Sequence, residues 1–91
     1  EGGEIEKAIE AFQRAIEIEP TEWAYNGLGF IYHEYLFKFE LAFNCYKIVL
    51  EMNPDELLYC TNFTEANFTS GRFKEAYDLA QKIFHLLLYS I

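Results

Sequence analysis

Ala8, Ala42 and Ala76 recur at a constant step of 34 in sequence number. The same step relates Phe12 to Tyr46, Ala15 to Val49, Pro20 to Pro54 and Phe39 to Phe73. A constant period of this length marks one supersecondary unit stacked on itself, because a single unit cannot bury its own apolar face. The period constrains architecture tightly and biochemical role loosely, since a repeat stack offers surfaces that hold partners rather than a chamber for chemistry.

Within the period the apolar residues follow a helical spacing. Ile5, Ala8, Ile9, Phe12, Ala15 and Ile16 form an i, i+3, i+4, i+7 stripe, which predicts an amphipathic helix from Glu4 to Glu19, preceded by Gly2-Gly3 and stopped by Pro20. Thr21 is the expected N-cap of a second helix with Glu22 in its first turn, carrying Trp23, Leu28, Ile31, Tyr32 and Tyr35. A break is expected near Leu36 to Lys38, although neither Gly nor Pro marks it. The third helix reads Phe39 to Met52, with Ala42, Phe43, Tyr46, Val49 and Leu50 on one side, and ends at Asn53-Pro54. Asp55 or its neighbour caps a fourth helix holding Leu58, Phe63, Ala66 and Phe68. Thr69-Ser70-Gly71 is a turn with Gly at the C′ position. A fifth helix, Arg72 to about Leu88, is expected to point Phe73, Ala76, Tyr77, Ala80, Ile83, Phe84 and Leu87 inward. No strand pattern occurs.

The chain of 91 residues is one domain at most, and 52% apolar and 19% aromatic content supplies a packed core and excludes disorder. No apolar run approaches the roughly 18 residues of a membrane span. The net charge of −8 disfavours a phosphate backbone or an anionic membrane surface, and no Lys/Arg cluster offsets it. Cys45 and Cys60 form neither a CxxC pair nor a ligand pattern. Two thiols in an unstapled helical domain point to a reducing, cytoplasmic setting. The opening Glu1-Gly2-Gly3, without Met, reads as part of a longer polypeptide.

The residues resemble the tetratricopeptide repeat, whose signature runs W-x2-L-G-x2-Y, then A-x3-F, then P. Here the middle unit reads Tyr25-x2-Leu28-Gly29-x2-Tyr32, then Ala42-x3-Tyr46, then Pro54. The resemblance divides the chain into the second helix of an incomplete unit (1–20), a complete unit (21–54) and a degenerate last unit (55–91), about two and a half in all. It implies an all-α fold of antiparallel helix-turn-helix repeats stacked as an α-solenoid with a right-handed superhelical lean. The Gly expected between the helices of the middle unit is replaced around Leu36-Phe37-Lys38, in a joint one residue longer, and the linker after Pro20 is one residue shorter.

The resemblance also implies that the first helix of each unit lines a concave groove for a peptide. The groove positions are Trp23, Asn26, Phe30, His33 and Glu34, then Leu58, Thr61, Asn62, Glu65, Phe68 and Thr69. Aromatics beside amides and carboxylates suit a peptide with apolar anchors; the same aromatics also suit packing between neighbouring units. One subclass of the family grips the acidic C-terminal tails of heat-shock chaperones with paired Lys/Arg and Asn residues. Asn62 falls at one such position and Asn26 near another, but Leu58 stands where Lys is wanted, so an apolar or basic partner is expected. His33 and His85 lie on different helices and converge with neither cysteine, so no metal, cofactor or catalytic residue is expected. Ile5 and Ile9 at one end of the stack, and Leu86 and Leu88 at the other, are candidates for self-association, giving a possible homodimer. Two functions follow: a scaffold that binds a protein segment in its groove, or a structural module that assembles through its terminal helix faces.

Overall fold

The computed structural model describes residues 2–89; Glu1, Ser90 and Ile91 lie outside it. Five helices make up the described chain: α1 (Gly2–Ile18), α2 (Glu22–Glu34), α3 (Phe39–Met52), α4 (Leu57–Thr69) and α5 (Phe73–Tyr89). No strand occurs among the described residues. The starts of α3 and α5 are 34 apart in sequence number, as are the ends of α1 and α3. The starts of α2 and α4 are 35 apart, because four residues join α2 to α3 and three join α4 to α5. The longer joint and shorter linker expected from the sequence are both present.

Local chemistry sets the helix ends. Thr21 holds an extended backbone and its Oγ1 accepts from the Ala24 amide at 3.2 Å, covering one orphan donor of α2. Glu56, the neighbour of Asp55, caps α4 through the Leu58 amide. α1 begins at Gly2, two residues earlier than its glycines suggested, because a glycine in a first turn lowers propensity without blocking the turn. Gly71 turns the chain between α4 and α5 at φ +85°. Phe37, at the equivalent place between α2 and α3, takes φ +54° without the glycine that this region favours.

The helices pack chiefly as neighbours in sequence. α2 lies along α3, and α4 along α5; α1 rests on α2 alone among the described helices, and α3 joins the two hairpins through α4. The core sits at that junction, where Ala42, Phe43, Tyr46 and Ala66 are buried and Tyr32, Phe39 and Phe63 pack around them. Two glycines permit close approach. A Cβ on Gly29 would lie 2.9 Å from the Tyr46 ring, and one on Gly27 would overlap the Phe12 ring. Each aromatic therefore seats its ring directly on the α2 backbone, one from each side. Arg72 closes the junction, with its guanidinium 4.2 Å from the Phe43 ring centroid and paired to Glu40.

α5 presents a different face from the one its sequence suggested. Ala76 is buried, and Arg72, Leu79, Ile83 and Leu86 are half-buried. Phe73, Tyr77, Ala80, Phe84 and Leu87, expected inward with Ala76 and Ile83, are exposed. The two sets are stripes of 4-3-4-3 spacing displaced by one residue. Both are apolar apart from Arg72; α4 packs on the first and reaches the second only through Phe68 against Phe73.

Candidate functional site

The α2 and α4 helices lie side by side, so that residues 36 apart in sequence face each other. The Asn62 Nδ2 donates to Asn26 Oδ1 at 3.1 Å, and His33 Nε2 lies 3.0 Å from Thr69 Oγ1. The Asn53 side chain donates to Glu22 Oε1 at 3.0 Å at the start of α2. The Asn26–Asn62 and His33–Thr69 pairs hold α2 and α4 together, and Asn53, the C-cap of α3, ties the end of α3 to α2. His33, expected to line the groove, is only 3% exposed and sits beside Phe39 and Tyr46, with its Nδ1 making no hydrogen bond and lying 3.7 Å from Glu34 Oε2. It is a buried contact between helices, because its position on α2 faces the junction with α4 rather than the open side. The Tyr46 hydroxyl is a second buried polar atom without a partner, and burial pushes its pKa well above the usual phenol range.

The remaining groove candidates form an open surface. Trp23 is 67% exposed and lies against Phe12 of α1, with ring centroids 5.2 Å apart. Phe30 is less exposed and meets Tyr35 edge-on. Glu34, Thr61 and Glu65 are exposed along the same two helices, as is Leu58. Asn26 and Asn62 are half-buried between them. Neither helix carries a Lys or Arg, so Glu34 and Glu65 give this side a negative rim.

Phe68 leaves that line. Its ring meets Phe73 edge-on at 5.5 Å and lines a cleft between α4 and α5. Thr64, Tyr77 and Ala80 complete the walls of this cleft of about 450 Å³, which is apolar apart from Glu65. A second hollow of about 420 Å³ continues along α5 past Phe84, Leu88 and Tyr89. Periodicity did reveal an excess of apolar residues here, but it assigned them to the wrong side of the helix.

The self-association candidates divide. Ile5 and Ile9 are half-buried on α1, and Leu86 is half-buried against Asp55, Glu56 and Leu57 at the start of α4. Leu88 is exposed, at the end of the open face of α5. Leu86 was expected to point away from the stack; it belongs instead to the covered stripe.

Both cysteines are free and buried. Burial raises the Cys45 thiol to about 11, and burial also pushes Cys60 up, so neither is primed as a nucleophile at neutral pH. Among the described residues no three His, Cys, Asp or Glu side chains gather as a metal site, and no helix is long and apolar enough to cross a membrane.

Comparison with known proteins places this geometry. No curated protein matches the chain. A family model described as the TPR repeat matches residues 1–34, which span α1 and α2. That match, the constant step between the alanines and the stack of five helices agree on a TPR-like all-α helical repeat fold.

Proposed function

We propose that this protein is a non-catalytic scaffold that holds a peptide or protein segment along the open side of α2 and α4. The observation that supports this most is an exposed row of Trp23, Phe30 and Leu58 beside Glu34 and Glu65, with no cation on either helix. Large apolar side chains left wet on one face mark a binding surface. The acidic rim favours a ligand that is apolar or basic. In this reading α2/α3 and α4/α5 are the repeat units (21–54 and 55–91), α1 is the second helix of an incomplete one (1–20), and the stack leans as a right-handed solenoid. The two buried free thiols favour a reducing, cytoplasmic setting.

The test uses Trp23, the one tryptophan of the chain, as its own reporter. Peptides selected for binding from a random displayed library should be enriched in apolar and Lys/Arg residues and should shift the Trp23 emission. Glu34→Lys with Glu65→Lys should weaken them by about tenfold or more, since every 1.4 kcal/mol is a factor of ten. Selection of acidic peptides, or binding unchanged by the double reversal, would overturn the reading.

A second reading is favoured by the exposed aromatics of α5: a module that assembles copies of itself through terminal helix faces, as a homodimer at least. Ile5, Ile9, Leu86 and Leu88 are its sequence candidates; Leu86 is half-buried, and the open stripe of α5 adds larger side chains to the others.

A further inference from the structure

Phe73, Tyr77, Ala80, Phe84 and Leu87 are all exposed and spaced 4-3-4-3, the spacing that keeps one seam facing a partner helix. Shifted back by one repeat, the first four of these residues fall on Phe39, Phe43, Tyr46 and Leu50 of α3, against which α4 packs its Phe63 and Ala66, and Leu87 falls on Asn53 just beyond α3. The chain thus contains the same surface twice, once filled by a helix and once open.

Resting on the self-assembly reading, we propose that the open stripe of α5 packs antiparallel against the same stripe of a second copy, across a twofold axis at Ala80. The stripe is close to palindromic about that residue. Reversal sets Phe73 opposite the second copy's Leu87 and Tyr77 opposite its Phe84, with alanine against alanine where the helices come nearest. The hollow beside Ala80, walled by Thr64 and Phe68, receives a ring of the other copy as a knob enters a hole.

Charge selects this arrangement. The chain carries −8 overall, but α5 is neutral, with Lys74 and Lys82 against Glu75 and Asp78. It is therefore a face on which two copies meet without like-charge repulsion at the seam. A parallel pairing would set Lys74 beside its own copy and align the two helix dipoles; the antiparallel one opposes the dipoles. The aromatic and leucine side chains left open on α5 and Phe68 offer on the order of 700 Å² per copy, near the roughly 800 Å² per partner of a standard interface. An interface of that size predicts a dimer that forms and dissociates with concentration.

Sedimentation of the whole chain over a wide concentration range should show its mass rising from one chain toward two. Tyr77→Glu with Phe84→Glu should abolish that rise while leaving the helical circular dichroism unchanged, because both side chains are wet in the monomer. Ala80→Tyr supplies a check that introduces no charge: it gives α5 the ring that Tyr46 gives α3, fills the hollow from within, and should also abolish the dimer. Under oxidation Ala80→Cys should join two copies through a disulfide, whereas Phe73→Cys should not, its two positions being about 21 Å apart along the helices. Crosslinking by Phe73→Cys would overturn the antiparallel register. A dimer that survives the α5 variants would overturn this interface while leaving self-assembly through another face standing. A chain that stays monomeric at millimolar concentration would overturn both.

Discussion

The α2/α3 and α4/α5 hairpins are built on one plan and differ in how they close. In the first, Tyr46 of α3 lies on Gly29 of α2, and the ring fills the space between the helices. In the second, Ala80 replaces the tyrosine, and a hollow opens beside Thr64. The joints differ in the opposite sense: Phe37 stands in the left-handed region where the second hairpin has Gly71. The first hairpin thus combines a tight interior with a costly turn, and the second combines an easy turn with an open interior. Tight packing and turn chemistry are independent contributions to a repeat, and neighbouring units can trade one against the other.

The comparison breaks most readily at the aromatic positions. Phe43→Ala should destabilise by about 3–5 kcal/mol, as for other buried rings, whereas Tyr77→Ala, its counterpart on the open stripe, should stay within about 0.5 kcal/mol in the monomer. Denaturant midpoints for the two variants measure the contrast directly, and equal losses would show that α5 is packed like α3. A smaller effect separates the turns. Gly71→Ala should cost roughly 1–2 kcal/mol, the penalty for a Cβ in left-handed backbone. Phe37→Gly should run the other way and gain up to about 1 kcal/mol once the extra freedom of glycine in the unfolded chain is offset. A loss at Phe37 would mean that its contact with Phe39 outweighs the strain of the turn. The smallest effect falls on the connection between hairpins: Arg72→Gln removes the charge above Phe43 and the pair with Glu40, and should cost about 1 kcal/mol or less because the site is partly wet. Thermal melts at low and high salt would apportion that cost, since salt screens the Glu40 pair.

The repeating step made the helix order, the joint lengths and the buried Ala42 and Ala76 legible in the sequence, because those features depend on spacing alone. It did not reveal which face of α5 is covered. Two apolar stripes one residue apart give the same periodic signal, and only the position of α4 distinguishes them. The groove residues were partly legible for a related reason. Trp23 and Glu34 are exposed, whereas His33 is buried and Phe68 turns toward α5. A pairing such as Asn26 with Asn62 depends on a 36-residue offset between adjacent first helices, which the period of the units does not state. Gly27 was overlooked because its small size matters only to Phe12, a residue of another helix.

The ring of Phe12 seated on Gly27 carries a consequence for how the molecule comes apart. Among the described helices α1 leans on α2 alone, through Phe12 against Gly27 and Trp23 and through its flanking aliphatics. Detaching α1 breaks a single interface, whereas releasing α3 breaks two. Amide protons of α1 should therefore exchange through an opening well below the global unfolding energy, and those of α3 only near it. Almost every contact joins consecutive helices, so assembly follows chain order with little loop entropy to overcome. The helices at the two ends of the described stack, α1 and α5, should therefore open before the core around Tyr46.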